Sequence, residues 1–382
     1  MIQHTMYFDK LILKMSVDIS YLVTDFKYSQ EHGIKICEVQ HGSLSSLSGD
    51  TFITSNNCEN IETKNGMISF SFAKFFDQFN MQKWIVGTIY KQLKKSLKTT
   101  GWCWKFSVKT LLEDKIFLEK AKQIPNDLCS IYSYYGIVFC ASNIFKEYKI
   151  DRYLYPGILF MDAATLDYWI DKHKMNSLFG YHNELEKYKA EWKVYPKTYD
   201  SSLAEKIKND LPCEIYIIKP LNEFLGCGII VTTKYNLDNT LQLILKPDHN
   251  LKRHHDKKYS YWYKNNDTTF LIEKYYASDY LIMPEHLINE TKTSTNDFHY
   301  DATMRFAFIL KCDNGNISYH FLGAYWKLPC KAIEEEGTLN EKSITICSQP
   351  FYDTVEPILL KKINKEMKKV MLLFYKVMLG CY

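Results

Sequence analysis

Hydrophobic and polar residues alternate in short blocks through the first half of the chain. The blocks GIKICEVQ (33–40), YYGIVFCA (134–141) and YPGILFMD (155–162) have the length and the apolar content of strands. The segment 70–98 carries apolar residues at helical spacing and ends in lysines, which favour a helix C-terminus. A second helix is predicted at 163–181, directly after the third strand. This alternation predicts an α/β sheet.

From about residue 190 the pattern changes to apolar runs separated by turns. Strands are predicted at EIYIIKP (214–220) and GIIVTTK (228–234), around a glycine bend, and the apolar run TLQLILKP (240–247) follows them. Three more runs are TFLIEKYYAS (269–278), YDATMRFAFILKC (300–312) and ISYHFLGAYWKLP (317–329), and the turn sequence DNGN separates the last two. The second half is therefore expected to be rich in antiparallel strands.

A closing amphipathic helix is predicted near the C-terminus. One stripe of this helix would contain the apolar residues Ile358, Leu359, Ile363, Met367, Val370, Met371, Phe374 and Met378. A helix lying on a membrane surface is the alternative, and we expect core packing.

Composition narrows the class of protein. The 382 residues are enough for two or three domains, and the hydrophobic content of 46% supplies material for their cores. A net charge of +4 does not indicate a nucleic-acid or membrane partner, and we expect neither. The 11 cysteines include no CxxC pair, which favours reduced thiols. Asp9 and Lys10 interrupt the first apolar stretch, so we expect no signal peptide and a cytoplasmic location.

The stretch IYIIKPLNEFLGCGIIV (215–231) carries the candidate chemistry. Lys219 ends a buried strand and can project its ammonium into a cleft, while Gly226 and Gly228 allow backbone N–H groups to approach a polyphosphate. Neither the P-loop pattern nor the Gly-x-Gly-x-x-Gly pattern is present. An ordinary glycine hairpin is an equal alternative for this stretch alone.

The order of the neighbouring segments resembles the ATP-grasp superfamily of carboxylate–amine ligases. The resemblance covers roughly residues 155–382 and depends on the spacing of several short motifs. Asp171-Lys172 matches the dipeptide that opens the nucleotide-binding region of that family, and Lys219-Pro220 matches the lysine before its mobile glycine loop. The segment LIEKYY matches its adenine hinge.

The resemblance implies a set of site residues. Those that would contact ATP are Lys172, Lys219, Gly226, Gly228, Glu273, Lys274, Tyr275, Tyr276 and Asp279. Those that would hold Mg²⁺ are Asp301, Glu336 and Asn340, where the last two replace the Glu-x-Asn motif of the family. Arg305 and Lys327 are the implied catalytic residues, and Arg305 could hold an acyl-phosphate oxygen. A solvated loop is the alternative for the acidic triplet 334–336.

The resemblance also implies a fold of the α/β and α+β classes. A Rossmann-like N-terminal domain (1–165) on the substrate side would precede an ATP-grasp domain (166–382) of two α+β subdomains. The first of these (166–280) would bind the nucleotide with its glycine-rich loop, and the second (281–382) would contain the metal-binding core and the C-terminal helix. The implied function is ATP-dependent ligation of a carboxylate to an amine through an acyl-phosphate. A non-catalytic degenerate ATP-grasp fold, or another α/β protein-binding module, is the alternative.

Two loops are secondary candidates. The stretch KRHHDKK (252–258) is predicted to be a solvated loop, with a mobile lid as the functional alternative. Glu38, His41, Ser43 and Ser45 lie where a strand meets a loop of small residues. A plain turn is favoured there over a substrate site.

Overall fold

The structure is a computed structural model of the whole chain. It describes residues 17–42, 75, 78–79, 82–86, 103–105, 115–139, 154–165, 168, 171–222, 226–246, 257–282, 298–345 and 352–380. The candidate loop residues Ser43 and Ser45, and most of the loop at 252–258, lie outside the described residues.

The strands are numbered in chain order. They are β1 Asp18–Ser29, β2 Gly33–His41, β3 Gln82–Val86, β4 Cys103–Lys105, β5 Gly136–Phe139, β6 Ile158–Phe160, β7 Trp192–Pro196, β8 Ile215–Pro220, β9 Ile230–Thr233, β10 Thr269–Lys274, β11 Leu281–Ile282, β12 His299–Tyr300, β13 Thr303–Asp313, β14 Asn316–Lys327 and β15 Tyr352–Asp353.

The helices are α1 Lys115–Ala121, α2 Lys172–Gly180, α3 Asn183–Glu186, α4 Leu203–Asp210, α5 Leu237–Leu245, α6 Lys257–Lys264, α7 Leu339–Ser343 and α8 Pro357–Leu379, and a 3-10 turn lies at Ile131–Ser133. None of the helices in the described ranges combines the length and the apolar character that crossing a bilayer requires.

A parallel sheet with the order β4-β3-β5-β6 occupies the first half of the chain. Two of the strands predicted there, β5 and β6, are confirmed. The helix predicted over 70–98 is wrong at 82–86, which form strand β3. Its two parallel neighbours, β4 and β5, supply backbone partners on both sides, and this pairing overrides the helical spacing of the apolar residues.

A five-stranded antiparallel sheet has the order β15-β14-β13-β1-β2. Strand β1 is buried along its whole length because both faces of the sheet are covered. Leu22 and Phe26 pack in the core that includes α8, whereas Tyr21 and Val23 pack in a second core on the other face. Strands β1 and β2 therefore share a sheet with β13 and β14 of the segment 281–382.

The β13–β14 hairpin confirms the turn predicted from DNGN. Asn314 and Gly315 have φ values of 51° and 71°, which are the left-handed conformations that a two-residue hairpin turn requires. Asp313 and Asn316 pair on either side of the turn.

The predicted C-terminal helix is confirmed as α8. Glu356 caps its N-terminus by accepting bonds from the N–H groups of Ile358 and Leu359, and Pro357 occupies the first turn. Its apolar stripe is buried in the core of the five-stranded sheet, as expected, from Ile363 onward. Ile358 departs from the prediction because it is 80% exposed.

A second antiparallel sheet has the order β7-β10-β8-β9, and α4 and α5 pack on it with α6. The apolar run at 240–247, which followed the predicted strands, lies largely in helix α5. Leu237, Leu241 and Ile244 are buried at helical spacing in the same core as Ile218 and Phe270 of the sheet. The described chain is thus a mixed α/β protein with separate parallel and antiparallel sheets.

Candidate functional site

Two buried lysines share one buried carboxylate. Lys219 ends β8, Glu273 lies near the end of the adjacent β10, and Lys189 precedes β7. Glu273 contacts the ammonium groups of Lys189 and Lys219 at 2.7 Å and 2.5 Å. The side chain of Asn176 in α2 donates a third bond to Glu273 at 3.1 Å. We call Lys189, Lys219 and Glu273 the lysine pair cluster.

The charges in this cluster set its protonation. Burial acts to raise the pKa of Glu273, but the two adjacent ammonium groups outweigh it and the pKa is lowered. Burial acts to lower the pKa of Lys219, and Glu273 reverses the effect, so that this pKa is raised. The pKa of Lys189 is lowered by burial and by the like charge of Lys219. The carboxylate therefore stays ionised between the lysines at neutral pH.

A bulge in β2 closes over the lysine pair cluster. Asp25 pairs with Glu38 and Phe26 pairs with Ile36, so Cys37 is the extra residue of β2. The bulge points two carbonyls at the lysines. The ammonium of Lys189 donates to the oxygens of Ile36 and Cys37 at 3.0 Å and 3.2 Å. Lys219 donates to the Cys37 oxygen at 3.2 Å.

The Cys37 side chain shows which charges surround the bulge. Burial raises the pKa of its thiol, while the nearby positive charges of Lys219, Lys27 and Lys189 act to lower it. Lys27 on β1 therefore lies in the same region as the lysine pair cluster, although it belongs to the other sheet.

Three charged side chains from three neighbouring strands of the five-stranded sheet contact one another. Asp25 of β1 accepts two parallel bonds from Arg305 of β13, both at 2.7 Å, and a bond of 3.1 Å from Lys327 of β14. All three side chains are buried. Burial acts to raise the pKa of Asp25, but Arg305 and Lys327 hold that pKa well below its ordinary value. We call these residues the sheet triad.

Lys27 and Asp301 form a buried ion pair beside the sheet triad. The Lys27 ammonium lies 2.9 Å from Asp301 Oδ1, 2.8 Å from the Asp301 backbone oxygen and 3.3 Å from the Ser343 backbone oxygen. Asp301 also accepts bonds from the Ser278 N–H, at 2.8 Å, and from the Tyr275 hydroxyl. Burial raises the pKa of Asp301, with Lys27 opposing that effect.

The predicted metal ligands do not fit a divalent cation as a set. Asp301 is engaged by Lys27, Ser278 and Tyr275 as described above. Asn340 accepts a bond from the Val231 N–H and donates one to the Ile229 oxygen, both at 2.7 Å. Glu336 is exposed, and its backbone oxygen binds Lys331. Across the described ranges, no group of three or more His, Cys, Asp or Glu residues could hold a metal ion.

Both predicted glycines have left-handed backbone conformations. Gly226 and Gly228 have φ values of 73° and 71°. A Cβ on Gly226 would meet no described residue within 4 Å, whereas one on Gly228 would lie 2.7 Å from the Tyr261 ring. The indole N–H of Trp262 in α6 donates to the Gly228 oxygen at 2.8 Å, and this bond fixes the turn against α6. Residues 223–225 of this loop lie outside the described residues.

In the structure, residues of the predicted adenine hinge contact side chains and backbone groups of this chain. Lys274 pairs with Glu191 at 2.7 Å. The ring of Tyr276 packs edge-on against the His32 ring. The Lys35 ammonium lies over the same tyrosine ring, 5.0 Å from its centre. Asp279 accepts a bond from the Gln30 N–H at 2.9 Å.

Asp279 also lines a groove of about 530 Å³ beside the start of α8, together with Tyr28, Trp326 and Lys362. That groove is not lined by Lys189 or Lys219.

Asp171 and Lys172 have structural positions at the start of α2. The Asp171 carboxylate caps the helix by accepting bonds from the N–H groups of His173 and Lys174. The Lys172 N–H donates to the Leu221 oxygen at 3.2 Å, just beyond the strand that ends in Lys219-Pro220. The lysine that meets Lys219 at Glu273 is Lys189, which the sequence motifs did not select.

Asp25, Lys27 and Cys37 were also missed. A signal for the first two was present, because β1 carries two charged residues two positions apart within an apolar strand. Such a spacing places both side chains on one face of a sheet. Cys37 had no comparable signal, since its position depends on the bulge.

The chain was compared with models of known protein families and with curated proteins, and neither comparison found a match.

Proposed function

We propose that the protein binds ATP and uses it to join a carboxylate to an amine, as a ligase of the ATP-grasp type. One observation carries this proposal. Lys189 and Lys219, from different elements, meet at Glu273 on the strand that leads into the predicted hinge. Arg305 and Lys327 belong to the other sheet, where they bind Asp25, and Asp25 pairs with Glu38 next to Cys37 of the β2 bulge. This arrangement gathers positive charge around the β2 bulge, and phosphoryl transfer depends on such charge.

The sheet arrangement supports the fold that this proposal needs. The four-stranded sheet with α4, α5 and α6 is one α+β unit, and the five-stranded sheet with α8 is another. The parallel sheet β4-β3-β5-β6 suits a Rossmann-like N-terminal domain. The ATP-grasp arrangement itself is part of the proposal.

In the proposed reaction, this chain contributes positioning and charge. Lys189 and Lys219 bind phosphate oxygens, which replace the β2 carbonyls as acceptors. Backbone N–H groups near Gly226 and Gly228 approach the same phosphates. A carboxylate oxygen of the substrate attacks the γ-phosphorus, ADP leaves, and the resulting acyl-phosphate is attacked by an amine with loss of phosphate.

Arg305 suits the negative charge of the acyl-phosphate because a guanidinium donates two parallel bonds. Arg305 already donates such a pair of bonds to Asp25, so the plane of its guanidinium is fixed before the substrate binds. Lys327 adds a second positive charge on the same face.

A nucleotide titration tests ATP binding. We expect ATP to raise the midpoint of thermal unfolding, with a gain of about 2.7 kcal/mol at a ligand concentration one hundred times Kd. Lys219→Met should abolish this gain because it removes one phosphate-binding ammonium. Lys193→Met is the matched control, since Lys193 is 48% exposed and pairs with Asp210 away from the lysine pair cluster. An equal gain in both variants contradicts the proposal.

A second candidate function is a non-catalytic, nucleotide-binding or protein-binding module of the same fold. The engagement of Asp301 and Asn340 in internal contacts favours it. ADP release across a panel of carboxylates and amines separates the two functions. Release that depends on both substrates supports the ligase, whereas ATP binding without release under any pair supports the module.

A further inference from the structure

The Lys27 ammonium occupies a shell of oxygen atoms. Among the described residues it contacts a carboxylate oxygen and a backbone oxygen of Asp301 and a backbone oxygen of Ser343, all within 3.3 Å. Carboxylates and backbone carbonyls are also the ligands that hard divalent cations prefer. Lys27 is 5% exposed, so this shell is built into the interior.

Asp301 has little remaining capacity for another cation. Ser278 and Lys27 contact Oδ1, and the Tyr275 hydroxyl donates to Oδ2. The Tyr275 hydroxyl also meets Ser343 at 3.1 Å, which fixes the ring beside the carboxylate. A divalent ion at Asp301 would have to displace the Lys27 ammonium and bring two like charges close together in a buried region.

In the part of the chain that the structure describes, the buried cations that surround Asp25, Glu273 and Asp301 outnumber these three carboxylates. These cations are Lys27, Lys189, Lys219, Arg305 and Lys327. Among the described residues, the half-buried Glu38 beside Lys219 offsets part of the difference. Buried charge without a counterion is costly, so this excess favours an anionic ligand.

We infer that the Lys27 ammonium replaces the divalent cation that the ATP-grasp resemblance implies at Asp301, so that this protein binds nucleotide phosphates without a metal ion. The inference depends on the proposed function, because it concerns how ATP is held. Lys27, Lys189 and Lys219 all lie close enough to Cys37 for their charges to act on its thiol.

Calorimetric titration of the full chain with ATP, in EDTA and in excess MgCl₂, tests this inference. We expect dissociation constants that agree within about threefold. Binding that is more than about tenfold tighter with Mg²⁺ overturns the inference and leaves the proposed function standing. If ATP binds in neither solution, both the inference and the proposed function are overturned. The two failures are therefore distinguishable.

A substitution series assigns the effect to Lys27. Lys27→Met is expected to weaken ATP binding in EDTA at least about tenfold. Because this variant leaves Asp301 buried without its ion-pair partner, Lys27→Met/Asp301→Asn, which removes both charges, is measured beside it, with circular dichroism to verify the fold. Lys35→Met is the control, since Lys35 lies opposite Lys27 on β2 and bonds to the Lys187 oxygen. Wild-type affinity in the folded double variant overturns the inference.

Discussion

Glu273 is the residue on which the lysine pair cluster depends. It is 1% exposed and is the carboxylate that neutralises both lysines. Glu273→Ala leaves two ammonium groups buried without it, and we expect a loss of about 3–5 kcal/mol in the free energy of unfolding. Urea denaturation measures this loss.

Glu205→Ala is the control, because Glu205 is 69% exposed and pairs with Lys208 one helical turn away. That change should cost less than about 1 kcal/mol. A similar cost for both variants would mean that the buried network contributes no more than a surface pair.

Asp162 gives the protein a specific pH dependence. Its Oδ1 accepts the Tyr21 N–H at 2.7 Å, and its φ is 63°. Its Oδ2 is buried and has no hydrogen-bond partner among the described residues. Burial, with a contribution from Asp18, raises the pKa of Asp162 well above 3.8. The folded state therefore holds this proton more tightly than the unfolded state. The resulting stabilisation is complete below pH 3.8 and is lost as the pH rises through the folded pKa.

Asp162→Asn removes the titrating proton, keeps the acceptor for Tyr21 and tolerates the left-handed backbone. We expect the variant to be more stable than the wild type at neutral pH, with the difference growing as the pH rises from 4. Urea denaturation across that range measures it. Asp127→Asn, at an exposed position, is the control for the same chemical change made outside the core. A wild-type advantage that increases with pH contradicts the assignment.

At the scale of elements, the turn between β8 and β9 is held from two sides. Asn340 of α7 binds the backbone at Ile229 and Val231, and Trp262 of α6 binds the Gly228 oxygen. The predicted ligand Asn340 therefore has a structural role that a glycine-loop motif does not reveal. Asn340 was selected because of its spacing from the acidic triplet 334–336. That spacing does not predict contacts with the β8–β9 turn, which is more than 100 residues away in the sequence.

Gly226→Ala and Gly228→Ala form a matched pair that tests this turn. Both substitutions place an alanine in a left-handed conformation, which costs about 1–2 kcal/mol. Only Gly228→Ala adds a close contact, with the Tyr261 ring at 2.7 Å. We expect Gly228→Ala to be the more destabilising by about 1 kcal/mol or more in urea denaturation. Equal costs would show that Tyr261 moves aside freely.

Sequence patterns predicted the elements whose partners are local. Strands β2, β5 and β6, the β13–β14 turn and helix α8 follow from periodicity and turn residues, because these features record local burial and backbone conformation. Strand β3 was mistaken for a helix because its neighbours in the sheet are not visible in its own residues. The bulge at Cys37 depends on the register between β1 and β2, so no local pattern identifies it.

At the scale of the whole molecule, the largest gap between sequence and structure is the placement of β1. The N-terminal domain was expected to end near residue 165, yet β1 and β2 extend the sheet formed by β13 and β14. This placement brings Asp25 and Lys27 against Arg305 and Asp301, and it could not be derived from motif order. The boundary at residue 165 remains a prediction for the parallel sheet alone.

The pairing of β1 with β13 also affects how the chain is made. Asp25 and Arg305 are separated by 280 residues, so β1 emerges from the ribosome long before its partner exists. At about 5–20 residues per second, that delay is roughly 14–56 s. During this interval β1 can pair with β2, but its other edge lacks the partner strand β13. A chaperone that shields the nascent β1 segment would therefore be expected to increase the yield of this protein during synthesis.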